Sequence, residues 1–321
     1  MSKVVGLKIG TALLALWGVA SLIFFLFTVL PGDPAQMMLD QNEDSKQLEV
    51  IKAKFGFDLP ISTQYFNYIN DLLPISIHSK NPTDFGFYDQ EVYGGLILVE
   101  MTHWSIVGKA PYFRTSYQKR GKPITEIIKE TLPNTALLAL SSMSIAVLLG
   151  ISLGIVATLN KNNWIDRFLQ LFSTLGMSIP SFFSAILFSW FFGYVLYDFT
   201  GLNMTGSLNE LDDLGEGLQL QWKNLILPSF VLGIRPLAVI IQLLRSNLLE
   251  VLSEDYIRTA YAKGLSRYKV ILKHALKNSL NPVITAISGW FASLLAGSIF
   301  VEYIFGWKGL GKEIVEALNQ L

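Results

Sequence analysis

The sequence predicts an all-α, polytopic membrane helical bundle with about five spans. Two observations carry this. Hydrophobic residues make up 51% of the 321 residues and charged residues only 16%, where a soluble domain carries roughly a quarter charged. The missing charges are concentrated in runs, and those runs match the roughly 20 apolar residues that a helix rising ~1.5 Å per residue needs to cross a bilayer.

The runs are Ile9 to Leu30, Leu132 to Leu159, Phe168 to Tyr197, Leu225 to Leu244 and Leu280 to Val301. The first is too long for a signal-peptide core of roughly 7–15 residues and ends without an A-x-A site, so it reads as a retained span. Trp17, Trp164, Trp190, Trp222 and Trp290 fall in or near these runs, and those at span ends suit the headgroup region. Lysine and arginine set the orientation. Lys3, Lys8, Lys161, Arg167 and the Arg245 to Lys277 series all fall on one side of a five-span chain, which is assigned to the cytoplasm with the N-terminus. Thr200 to Lys223 holds Glu210, Asp212, Asp213 and Glu216 against Lys223 alone and goes outside.

This gives an N-terminal helix (1–30), an extracytoplasmic region (31–129) and a transmembrane core (130–321) that includes a cytoplasmic loop at 249–279. In the outer region Ser45 to Phe55 and Leu59 to Leu73 read as short helices. A loop this long is functional or separately folded. Five spans starting inside leave Glu313 to Leu321 outside as an amphipathic helix.

Formal net charge is zero, which gives no global field for nucleic acid. There is no cysteine, so disulfide and thiolate chemistry is excluded. His78, His103 and His274 are too scattered for a metal cluster. No paired catalytic carboxylates, H-E-x-x-H or serine–histidine arrangement lies at membrane depth, and no cofactor is expected. Gly306 to Lys312 satisfies G-x4-G-K, but Glu313 stands where a serine or threonine should hold magnesium, and a membrane helix precedes it in place of a strand.

The most informative stretch is Glu254 to Pro282, a basic helical segment wedged between two spans. Asp255 to Lys263 is helical and Gly264 interrupts it, as a bend or cap. A second helix follows with Ser266 as N-cap, placing Val270, Ile271, Ala275 and Leu276 on one face and Arg267, Lys269, Lys273 and Lys277 elsewhere. On periodicity alone, two readings stand: a knob for a groove on a soluble partner, or an interfacial helix with its basic face on anionic membrane lipid.

Asp255 to Ser266 reads DYIRTAYAKGLS. This resembles the ATPase-docking loop of ABC importer permeases in the dipeptide/oligopeptide (peptide/nickel) uptake family, whose peptide version is D-Y-I-R-T-A-x-A-K-G-L-S. The glutamate of the broader motif is replaced by Arg258. Leu30 to Ala35 (LPGDPA), Phe55 to Tyr65 (FGFDLPISTQY), Arg114 to Leu140, HALKNSLNPVIT and Phe305 to Gly311 also resemble family segments. The sequence departs from the family at Ile75 to Tyr112, which reads as an insertion, at Lys308 in place of proline, and in a last span expected to be missing. The resemblance implies the type I permease fold and a permease subunit that is not itself an enzyme, for small solutes and most of all di- or oligopeptides. The ATPase-coupling residues would be Asp255, Tyr256, Arg258, Thr259, Ala260, Ala262, Lys263, Gly264, Leu265, Ser266 and Lys269. The implied partners are a homologous second permease, two ABC ATPases and an extracytoplasmic solute-binding protein, at a bacterial inner membrane.

Arg235 lies mid-span, followed by Pro236. A charge at this depth faces a bundle interior or wet cavity. It is read either as a translocation-pathway residue attracting a solute carboxylate or as an arginine paired with backbone carbonyls or a neighbouring subunit. The alternative of an ion-coupled secondary transporter needs acidic groups within the spans, and the five runs contain none.

Overall fold

The computed structural model describes residues 2–29, 35, 45–119, 121–211 and 217–319. Most of the LPGDPA segment, and Asp212, Asp213 and Glu216, lie outside the described residues. The chain forms two compact units, Met1–Ile128 and Lys129–Asn319.

In the first unit, α1 (Ser2–Val29) is apolar on all sides, and its large side chains are exposed around the helix. A helix with no polar face is stable only where its surroundings are apolar too. Helices α2 (Ser45–Phe55) and α3 (Ile61–Leu72) follow. Tyr65 of α3 meets Phe24 and Phe25 of α1 with ring centroids 5.4 and 5.3 Å apart, and its hydroxyl lies 2.7 Å from that of Ser21.

The expected insertion holds the larger of the two small sheets among the described residues, in an otherwise helical chain. Strands β1 (Ile75–Ser79), β2 (Leu96–Glu100) and β3 (Trp104–Gly108) form an antiparallel sheet in the order β1-β3-β2. The chain is therefore nearly all-α. Beneath the sheet, Asp71 is ion-paired to Arg114 at 2.8 Å and Lys109 Nζ donates to the Asp71 carbonyl at 2.6 Å. His78 is buried on the same sheet, 4.4 Å from the Tyr93 ring. Its Nε2 pairs with Ser76 Oγ at 2.9 Å, while Nδ1 is buried without a partner.

Burial, with Lys109 nearby, holds the His78 imidazole below its ordinary value. A histidine with a depressed folded pKa contributes stability that is complete above its unfolded pKa of about 6.5. That stability is lost as pH falls below it, at up to about 1.4 kcal/mol per pH unit. Amides of β1 and β3 are therefore expected to lose exchange protection between neutral and mildly acidic pH, after correction for the intrinsic chemical rate. His78→Gln should flatten that dependence, and an unchanged slope in this variant would remove His78 as its cause.

The second unit is built around α7 (Lys223–Val251). Helix α4 (Ile124–Leu159) approaches it through Gly150 and Gly154. A Cβ at Gly150 would lie 2.7 Å from Ile240 Cγ2, and one at Gly154 3.0 Å from Leu244 Cδ2. Small residues spaced in this way let membrane helices pack backbone to side chain.

The expected single span Phe168 to Tyr197 is instead two helices, α5 (Trp164–Ser178) and α6 (Ser181–Trp190). They are bent by 110°, and α6 continues into a π turn, Phe191–Val195. Pro180 has no N–H for the helix ladder and disfavours α geometry at Ile179. The pair still travels steadily along α7. Asp166 meets Arg245, Met177 meets Arg235, Phe188 meets Phe230, and Asn203 meets Asn224. This order makes the pair one broken span rather than a loop that turns back. Among the described residues, four helices are long and apolar enough to cross a membrane, and five when this pair counts as one.

A short hairpin, β4 (Asn209–Leu211) with β5 (Leu218–Leu220), precedes α7. Beyond α7 lie α8 (Asp255–Ala262), α9 (Arg267–Lys269), a π segment (Val270–Ala275) and α10 (Leu276–Gly297). The chain closes with α11 (Ile299–Phe305) and α12 (Leu310–Asn319).

The G-x4-G-K stretch is the turn between α11 and α12, and Glu302 of α11 fills it. The fully buried Glu302 carboxylate accepts from Ser298 Oγ at 2.7 Å, Gly311 N at 2.7 Å and Lys312 N at 3.2 Å. Backbone N–H groups that would face a phosphate in a nucleotide-binding loop are thus bound to a side chain of the same chain. A Cβ at Gly311 would lie 2.6 Å from Ile299 Cα, so this position requires glycine. Trp307 Nε1 donates to Asn134 O at 3.0 Å and Leu310 N to Thr135 Oγ1 at 2.8 Å, fastening the turn to α4. Glu302→Ala leaves several buried donors unpaired, at about 1–3 kcal/mol each. The variant is expected to melt well below the parent in detergent, and an unchanged melting temperature would contradict this account.

Candidate functional site

The hairpin between α7 and α10 has a buried floor and an exposed crest. Ile257 and Ala260 of α8 pack with Leu248 of α7 and with Val270, Ile271 and Ala275 of the π segment, flanked by Ile155, Val251, Leu252 and Leu265. The amphipathic spacing explains this, because residues three and four apart share one helix face. Gly264 closes the bend at φ +77, a left-handed conformation that costs an L-residue roughly 1–2 kcal/mol. The Gly264 N–H donates to Tyr261 O at 2.9 Å, and Leu265 N to Ala260 O at 3.3 Å.

Of the residues the sequence singled out, Asp255, Tyr256, Arg258, Thr259, Ala262, Lys263, Gly264, Ser266 and Lys269 are exposed together on the crest. Ala260 is buried and Leu265 half-buried, so these two also contribute to the floor. Ser266 stands at the N-cap position with φ −65 and ψ 150, but its hydroxyl makes no capping hydrogen bond. The Asp255–Arg258 pair, 3.3 Å apart, is largely exposed and adds little to stability.

Two tethers tie the hairpin to the bundle. Arg267 Nη2 donates to Leu159 O of α4 at 3.3 Å, and Asn278 Nδ2 to Tyr256 OH at 2.8 Å. Beneath them, Asp166 and Arg245 form a two-pronged ion pair, at 2.5 and 2.7 Å, and Asp166 also accepts from Asn162 N and Gln170 Nε2. The sequence reading missed this pair. It counted no acid within the spans, whereas the broken span starts at Trp164 and so contains Asp166. That acid is fully partnered by Arg245.

The other feature is a cavity of about 120 Å³ bounded by α5, α6, α7 and α10 and lined by Arg235, Ser181, Ser184, Trp290, Ser293 and Leu294 among others. Arg235 Nη2 makes one long hydrogen bond, to Met177 O at 3.4 Å. Among the described residues its Nε is buried without a partner and no acidic side chain lines the cavity.

A bundle of spans interrupted by a basic, solvent-facing hairpin and a half-buried cation is the layout of a transport subunit. The comparisons place it within that class. The profile of the binding-protein-dependent transport system inner membrane component matches residues 146–321, and that of the N-terminal part of such membrane components matches residues 1–81. The glutathione transport system permease protein GsiC of Salmonella typhimurium is 32% identical over 94% of this chain and 81% of its own length. The GsiC of Escherichia coli K12 is 31% identical over 94% and 82%. The crystal structure of an amino acid ABC transporter with histidines overlays with a TM-score of 0.44 at 15% identity, covering 62% of this chain and 81% of that one. The chain belongs to the binding-protein-dependent inner-membrane permeases of ABC importers, in the peptide/nickel group. It is a multi-pass protein of the inner membrane. Members of this family are the permease component of their transporters and are not themselves catalytic.

Proposed function

We propose that this chain forms one transmembrane half of an ATP-driven importer of short peptides, and that its 255–278 hairpin couples it to a separate ATPase. The observation that carries the reading is the division of the hairpin into an apolar floor, keyed to α7 and to the π segment that leads into α10, and a polar crest open to solvent. Force applied to such a knob passes into two spans through packed side chains rather than through a slack loop. In this reading the hairpin and the N-terminus face the cytoplasm. A homologous permease supplies the other half of the pathway, two ABC ATPases close on nucleotide, and a solute-binding protein delivers cargo from outside. Closure of the ATPases favours one of two arrangements of the spans, which is how nucleotide would switch access. Arg235 lies on the pathway. The GsiC relatives are named for glutathione, itself a tripeptide, and this supports peptide cargo here.

A photo-crosslinker placed at Lys263 of the full chain in its native membrane is expected to capture a nucleotide-binding subunit. If the chain is present at the parental level and no such subunit is captured, the coupling reading is wrong.

A further inference from the structure

We infer that the cavity beside Arg235 is an anion subsite that holds the C-terminal carboxylate of the transported peptide. The inference rests on the reading of this chain as a peptide permease, and it adds the chemical group that is recognised and the residues that recognise it. A guanidinium presents five N–H donors in a planar fork matched to a carboxylate. At Arg235 that fork is underused, with one hydrogen bond of 3.4 Å to Met177 O and a buried Nε that has no partner. Burying a charged donor without an acceptor is unfavourable, so the site as built favours an incoming anion. The walls supply no competitor, because the lining contains no Asp or Glu.

The remaining lining fits one end of a peptide. Ser181, Ser184 and Ser293 place hydroxyls around the cavity, while Trp290 and Leu294 give it an apolar side. At about 120 Å³ the space equals roughly four waters at about 30 Å³ each. That suffices for a carboxylate and its adjoining carbon atoms, and the rest of the peptide would extend beyond the cavity. Three α7 residues line the cavity beside Arg235: Val231, Leu232 and Ile234. Pro236 leaves the carbonyl of one of them, Leu232, without its helix hydrogen bond, and the same helix leads into the hairpin.

The chain has no cysteine, which allows a direct test in the purified, complete transporter. Ser293→Cys puts a thiol on the exposed side of the lining, and modification is followed on this chain alone by mass spectrometry. At low salt, an anionic sulfonatoethyl methanethiosulfonate is expected to react about tenfold or more faster than its cationic trimethylammonium counterpart. Adding Arg235→Gln should erase that preference, whereas Arg235→Lys, which keeps the charge, should retain most of it and show that loss in the first variant is not misfolding. Trialanine should protect the thiol and trialanine amide should not. Equal reagent rates, a preference that survives Arg235→Gln, a thiol that reacts with neither reagent, or no difference between the acid and the amide each overturn the assignment. None of these readouts involves the ATPase, so failure here is separable from failure of the coupling reading, which crosslinking at Lys263 reports.

Discussion

Replacing Gly264 by proline is expected to abolish co-purification of the ATPase while the chain still inserts in the membrane at the parental level. Proline fixes φ near −65°, and Gly264 sits at φ +77, so the bend cannot form and the crest loses its shape. Nothing lies within 4 Å of a Cβ built at this position, which separates backbone strain from crowding. Gly264→Ala pays only the left-handed penalty of roughly 1–2 kcal/mol and should weaken association partially. A charge reversal, Arg258→Glu with Lys269→Glu, leaves the bend intact and alters only exposed crest residues. It should lose the ATPase as Gly264→Pro does. Full co-purification in both would show that the hairpin is not the docking element and would favour its lying on lipid.

The largest stability effect is expected at Asp166 and Arg245. Their side chains are 1% and 19% exposed, and breaking a buried pair from one side costs about 3–5 kcal/mol, because the surviving charge is stranded. Asp166→Ala also removes the acceptor for Asn162 N and Gln170 Nε2, so it should be the worse of the two single variants. Asp166→Leu combined with Arg245→Met replaces the pair with apolar volume and should recover much of the loss. Melting of the detergent-solubilised protein across the cycle of Asp166→Leu, Arg245→Met and their combination tests the account, and additive losses in the double variant would contradict it.

Which parts of this could be read in advance follows from the range of the interactions. The spans were legible because each is a local, charge-free run, and the hairpin because helical periodicity and Gly264 are local signals too. The break at Pro180 was signalled by the proline itself but masked by the continuous hydrophobicity on either side. The Asp166–Arg245 pair joins residues 79 apart, and nothing near either one announces the other. Glu302 lies one residue past the run ending at Val301, and its partners are supplied by a turn folded back onto it. In the hairpin, periodicity sorted the faces of the second helix, where Val270, Ile271 and Ala275 are buried, but not those of the first. Ala260 and Leu265 resemble their neighbours in composition, and only the packing against Leu248 and Ile257 turns them inward. The stretch Ile75 to Tyr112 read only as a departure from the family pattern, because its sheet depends on β1–β3 contacts across more than twenty residues.

The bend after α5 also sets how firmly Arg235 is kept in place. Met177 sits in the last turn before the break, where carbonyls have no donor from their own helix, and it offers its oxygen to the guanidinium at 3.4 Å. Under the subsite proposed above, so loose a tether would hold the guanidinium in place and yield to a better acceptor. The break at Pro180 is therefore what leaves that carbonyl free to meet Arg235.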